Sequence, residues 1–244
     1  MMQRLVGVLA IALLGIPVQA QGSQRMQEVI DQSTRLLVEN WLSDQVVEQF
    51  KPPQVLPLAA GSKVYGACEE LITGHEVGGS GYCSNTHTIY LVPEELREFE
   101  EAFGASSVAY VVAHEFGHAF QAALEVPLEG AARELQADCF AGMLINNGNE
   151  QLGITREDVL AMATAAYNIG SDTHGTGPQR TFALLVGMGV FDSNCEADTM
   201  QSLANGAFDN DSRIKELSQE RSAGYRLDTS TSPYRKDARL LFGL

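Results

Sequence analysis

Five consecutive residues, His114-Glu115-Phe116-Gly117-His118, carry the strongest chemical signal in the sequence. In a helix, positions i and i+4 share one face, so both imidazoles can reach one metal ion. Glu115 directly follows the first histidine, which lets its carboxylate sit beside a metal-bound water and take its proton. Zinc suits this set because it accepts imidazole and carboxylate ligands in tetrahedral geometry. A catalytic zinc site also needs a third protein ligand and one open position. Downstream, Glu134-Leu135-Gln136-Ala137-Asp138 places two carboxylates at i and i+4, among apolar Ala131, Leu135, Phe140 and Met143. Glu134 can be the third ligand, while Asp138 accepts the free N–H of a zinc-bound histidine and fixes its tautomer. Gly117 inside a helix costs about 1 kcal/mol relative to alanine, which predicts a close approach there.

His174, in Thr173-His174-Gly175-Thr176-Gly177-Pro178-Gln179-Arg180, is the next polar candidate. A glycine-bracketed histidine just before a helix can point into a cleft and donate to the oxyanion of a tetrahedral intermediate, or it can be a structural histidine in a tight turn. Tyr167 is a weaker rival for that donor role. His75 and His87 read as surface or structural residues. Asp209-Asn210-Asp211 lacks the glycine and distal glutamate of a calcium loop and reads as a turn.

These residues must be positioned by surrounding elements. Met26, Val29, Ile30, Leu37, Trp41, Val46 and Val47 recur at helical spacing, predicting a long helix from about Gln24 to Phe50, ended by Lys51-Pro52-Pro53. An extended piece at Gln54–Leu58 and glycine-rich loops over Gly61–Gly81 follow. Thr88–Val92 is the best strand, stopped by Pro93, and is expected to be an edge strand beside the metal on which an extended substrate could lie. Helices are then predicted at Glu94–Phe103, from a Ser106 or Ser107 cap to about Leu124, and at Gly130–Ile145. Thr155-Arg156-Glu157-Asp158 resembles a capping box opening a helix to about Ile169, and Pro178 can open another ending near Gly189.

With 244 residues, 45% of them hydrophobic, the chain can bury one sizeable core, which favours a single catalytic domain with short extensions. Arg4, the apolar run Leu5–Val18 and Val18-Gln19-Ala20 read as a removed signal peptide over residues 1–20. The alternative is a retained membrane anchor, which the run's length, below the ~20 apolar residues of a span, disfavours. Export puts Cys68, Cys83, Cys139 and Cys195 in an oxidising setting, where the even count favours two disulfides, with three pairings open. The formal charge of −15 becomes −16 without Arg4, which disfavours nucleic acid and anionic membranes as partners.

The strings AYVVAHEFGHAFQ, ELQADCFAG and THGTGPQR, with KPPQVL, YGAC and GYCSNTHTIYL upstream, resemble the bacterial neutral zinc metallopeptidase family, a zincin group. The resemblance covers about Asn40 to Phe208. It implies His114, His118 and Glu134 as zinc ligands, Glu115 as the catalytic base, and pairings of Cys68 with Cys83 and Cys139 with Cys195. The brief signal-like segment and the tail after Phe208 depart from the family's pattern.

The expected fold is α+β and mostly helical, a zincin-like domain with a small β element and two active-site helices. The expected organisation is a signal peptide at 1–20, a metallopeptidase domain at 21–208 and a C-terminal tail at 209–244. The expected activity is hydrolysis of peptide or protein substrates with one zinc ion per chain, by an exported protein, secreted or in the periplasm or cell envelope. No stable membrane insertion is expected after signal removal. Two rivals stay open: a hydrolase of non-peptide amides, and a zinc-bearing envelope binding or assembly protein with a structural or vestigial site. Glu115 argues against the latter, since a purely structural site needs ligands but no base.

Overall fold

The computed structural model describes residues 18–59 and 79–215, with side chains from residue 24. Helix α1 (Val18–Ser43) leads into strand β1 (Gln54–Pro57), followed by β2 (Gly81–Cys83) and β3 (Thr88–Leu91). The rest is helical: α2 (Pro93–Phe103), α3 (Ala105–Ala123), α4 (Gly130–Asn147), α5 (Asn149–Leu152), α6 (Arg156–Asn168), α7 (Gly177–Gly187) and α8 (Ala197–Ala204). The domain is therefore α+β and mostly helical, with a small three-stranded sheet.

α1 ends at Ser43, seven residues earlier than the spacing of Val46 and Val47 predicts. Asp44 is the cause: its Oδ1 accepts the backbone N–H groups of Val46 and Val47 at 2.8 and 3.1 Å, a local bond that competes with helix continuation. The chain then turns around buried Trp41, whose Nε1 donates to the Phe50 carbonyl at 3.0 Å.

The sheet order is β1-β3-β2, with β1 parallel and β2 antiparallel to β3. The expectation that Thr88–Val92 forms an edge is thus overturned: β3 is the central strand and both its edges are already paired. β2 is the strand that reaches toward the metal-site residues. His87 enters β3 with φ 49° and joins the two sides, bonding Tyr82 Oη through Nδ1 and the Lys51 carbonyl through Nε2, both at 2.7 Å.

α3 is the central helix, with fourteen of its nineteen residues buried, so it is packed nearly all round. Its N-cap is Gly104, at φ 91°, instead of Ser106 or Ser107. The Ser107 hydroxyl donates to the carbonyls of Phe99 and Gly104 and ties α3 to the end of α2. α4 lies between α3 and α7, and two close approaches need glycine. A Cβ on Gly117 would meet the Ala137 carbonyl oxygen at 2.7 Å, and one on Gly142 would run into that of Leu184. The capping box of α6 is present, with Thr155 N–H donating to Asp158 and Asp158 N–H to Thr155 Oγ1.

Cys139 on α4 is joined to Cys195, just before α8, with a Cα–Cα distance of 5.6 Å. Cys83 is also disulfide-bonded. Its expected partner Cys68 lies outside the described residues, as do His75, most of the signal-like segment and most of the C-terminal tail. Asp209-Asn210-Asp211 is a turn, in which Asp211 pairs with Arg213. The Arg213 guanidinium lies over the rings of Phe182 and Phe191, at 4.8 and 5.0 Å.

Candidate metal centre

α3 and α4 bring His114, His118 and Glu134 together, with one ligand atom from each within 4.8 Å of the others. Glu134 faces both imidazoles, Oε2 at 3.4 Å from His114 Nε2 and Oε1 at 3.4 Å from His118 Nε2. These gaps exceed the ~2.7–3.2 Å of a good N–H···O bond. They match the roughly 3.3 Å between neighbouring ligands of a tetrahedral zinc with bonds of about 2.05 Å. The donor set fits zinc in type, and the two histidine–carboxylate gaps, each to its own Glu134 oxygen, fit it in distance.

The far nitrogen of each histidine is engaged. His114 Nδ1 lies 2.8 Å from Asp138 Oδ1, and His118 Nδ1 lies 2.8 Å from Gln121 Oε1. Both acceptors call for a proton on Nδ1, which leaves Nε2 of each ring as the atom that faces Glu134 and that could ligate a metal once it carries no proton.

Asp138 is fully buried and heavily bonded. Besides His114, its Oδ1 accepts from Tyr110 Oη at 2.6 Å and Arg180 Nη2 at 2.9 Å, while Oδ2 accepts from Arg180 Nε at 2.7 Å. Burial raises its pKa, but the charges of Arg180 and His114 and their hydrogen bonds outweigh burial and hold it down at about 2. Burial lowers His114, yet the charge and hydrogen bond of Asp138 raise it, to about 10. For Glu134, burial is likewise outweighed by the two histidines, which hold its carboxyl well below the usual range. Burial also pushes the Tyr110 hydroxyl well up, so it stays a proton donor.

Glu115 is 6% exposed and lies beside the cluster without belonging to the ligand trio. Burial pushes its carboxyl up, against the charges of His114 and His118 and a hydrogen bond from the Tyr82 backbone N–H. A raised carboxylate pKa suits a group that must accept a proton near neutral pH.

His174 sits in the exposed turn 171–175, closed by an antiparallel bridge between Ser171 and Gly175. Its Nδ1 lies 2.8 Å from Thr173 Oγ1 and 3.1 Å from Ser171 Oγ, which orients the ring from the Nδ1 side. The turn packs toward the site's supports, since a Cβ on Gly175 would lie within 3.6 Å of Leu135 and Arg180 side-chain atoms. Tyr167 lies on α6, packed against the start of α7 at Gly177.

Residue-by-residue reading missed Arg180, Gln121 and Gln136. The available signal for Arg180 was a lone cation in the apolar run of α7, since a buried arginine requires an anion. The glutamines carry no comparable signal.

Fold and site together define a zincin-like, mostly helical domain with a His/His/Glu candidate metal centre. A family model described as "Putative neutral zinc metallopeptidase" matches residues 16–184, and the chain belongs to that family. It is also similar to the uncharacterized protein YpfJ of Escherichia coli strain K12 and to that of strain O6:H1. Each is 29% identical over 141 residues, covering 44% of this chain and 49% of the relative. The chain thus spans about half the length of the curated relatives it matches. No solved structure matches. Among the described residues no helix is long and apolar enough to cross a membrane.

Proposed function

We propose that the protein is an exported zinc-dependent peptidase holding one zinc ion per chain through His114, His118 and Glu134. The observation that carries this reading is Glu115, a buried carboxylate adjoining the ligand trio but left outside it, as a base for water must be. Export is supported by Arg4, the apolar run Leu5–Val18 and the small residues of Val18-Gln19-Ala20. In this reading residues 21–208 form the catalytic domain and residues 209–244 a tail.

Zinc, when bound, polarises the substrate carbonyl and acidifies a water. Glu115 would take a proton from a water beside it as that water's oxygen bonds to the carbonyl carbon. The Tyr82 backbone N–H holds Glu115 in place for this transfer. Asp138 and Gln121 keep the two histidines turned with Nε2 toward the centre. As the C–N bond breaks, Glu115 hands its proton to the departing amine. His174 donates a hydrogen bond to the oxyanion in this scheme, with its ring set by Thr173 and Ser171.

Glu115→Gln tests the reading, because it keeps size and hydrogen-bonding reach but cannot accept the proton. Cleavage of a quenched peptide library should fall by about 100- to 10,000-fold with zinc content and circular dichroism unchanged. Undiminished cleavage by folded, zinc-loaded Glu115→Gln would remove Glu115 as the base. Absence of chelator-sensitive cleavage in the parent would favour a binding or assembly role.

A further inference from the structure

The two histidines are held by different chemistry. His114 rests on an anion, Asp138, itself neutralised by Arg180. His118 rests on a neutral amide, and that amide begins a chain of hydrogen bonds. Gln121 Oε1 meets His118 Nδ1 at 2.8 Å. Gln121 Nε2 donates to the Arg133 carbonyl at 2.8 Å and to Gln136 Oε1 at 3.0 Å. Gln136 Nε2 donates onward to the Cys195 carbonyl at 2.9 Å.

The direction of this chain is fixed from its far end. A backbone carbonyl can only accept, so Gln136 must present its NH2 to Cys195 and its oxygen to Gln121. Gln121 must then present its NH2 to Gln136 and Arg133, leaving its oxygen for His118. An acceptor at that position requires the proton on His118 Nδ1. Each amide has one orientation, and the tautomer of His118 follows without a charge being placed beside it. Both glutamines are 3% exposed, so water does not offer an alternative partner for either.

The terminal carbonyl belongs to the irregular segment between α7 and α8, where a backbone group would otherwise have little to hold it. The disulfide to Cys139 fixes it. Cys139 and Gln136 are three residues apart on α4, hence neighbours on one helix face.

We propose that Gln121 and Gln136 are positioning residues for His118: an oriented two-amide relay, anchored on the Cys195 carbonyl, that selects the tautomer presenting Nε2 to the metal. This rests on the reading of His118 as a metal ligand.

The test uses the mature full-length chain with Gln121→Met, Gln136→Met and their double variant, which approximate the native volumes. His118→Ala serves as the ligand control. Zinc dissociation constants are measured by competition with a chromophoric chelator, and ligand geometry by the visible spectrum of the cobalt(II) protein. Gln121→Met should weaken zinc by about 10- to 100-fold and alter the cobalt spectrum. Gln136→Met should weaken it less, and the double variant no more than Gln121→Met alone, because both act through one route. A parent that binds no zinc, or His118→Ala binding as tightly as the parent, would sink the metal reading itself. Tight binding lost only in His118→Ala, with the glutamine variants unchanged or strictly additive, would overturn the relay alone.

Discussion

Arg180 and Asp138, forty-two residues apart in sequence, meet as a buried fork, with Nε on Oδ2 at 2.7 Å and Nη2 on Oδ1 at 2.9 Å. The fork spans α7 and α4, and through His114 it reaches α3. The anion that steadies a candidate metal ligand is thus held by a third helix. That arrangement sets the cost of disturbing any one of the three.

Removing Arg180 leaves the Asp138 carboxylate buried without its cation. Arg180→Met should therefore cost about 3–5 kcal/mol in urea unfolding. Asp138→Asn combined with Arg180→Met should recover part of that loss, because the stranded charge is gone. Equal stability of the single and double variants would show that Asp138 does not depend on Arg180.

Zinc should stabilise the fold, because its ligands come from two helices and converge only when those helices pack. With free zinc at about 100 times its dissociation constant the gain is ~2.7 kcal/mol. For a chain of this size that corresponds to a rise in melting temperature of roughly 5–10 °C. The rise should vanish in His118→Ala, as read by differential scanning calorimetry. A similar rise in that variant would place the stabilising ion elsewhere.

The α4–α7 contact should be intolerant of even one methyl group. Gly142→Ala drives a Cβ onto the Leu184 carbonyl oxygen, and the obstacle is backbone. The expected loss is about 1–3 kcal/mol in chemical denaturation, despite alanine's better helix propensity. A stabilised variant would show that the two helices can part freely.

Glu95 provides a pH prediction away from the metal ligands. Burial raises its pKa above 4.5, against a hydrogen bond from the Ser80 backbone N–H, and the charge of Glu115 raises it further. A carboxyl raised in the folded state contributes stability that is complete below its unfolded pKa and is lost as pH rises through its folded pKa. Glu95→Gln does not titrate. Its stability relative to the parent should improve as pH climbs from below 4.5 toward neutrality and then level off. A difference that stays flat across this range would contradict the raised pKa.

Much of the site was legible because it is local. His114 and His118 are one helical turn apart, as are Glu134 and Asp138, so periodicity alone places each pair on one face. The convergence of the two faces was not local: the need for a third ligand pointed to Glu134, and the family resemblance implied the same residue. The partner of Asp138 could not be read, since nothing in the spacing of α7 says which anion Arg180 meets. The central position of β3 was hidden for a similar reason. The β-prone residues of Thr88–Val92 mark a strand, but its rank in the sheet depends on a parallel partner more than thirty residues earlier. At the end of α1 the signals conflicted. Val46 and Val47 continued the apolar period, and Asp44 won by offering their N–H groups a closer acceptor.

Gly117 stands between the two histidines with no side chain of its own, and Ala137 of α4 comes so near that a Cβ there would meet its Cα at 3.0 Å. His114 and His118 line one wall of the gap between these helices, and Glu134 lines the other. The width of that gap decides how large an ion the three ligand atoms can grip at once. The spacing of the candidate ligands therefore depends on the one residue of His114-Glu115-Phe116-Gly117-His118 that has no side chain. A side chain at that position would part the two walls while leaving every candidate ligand unchanged.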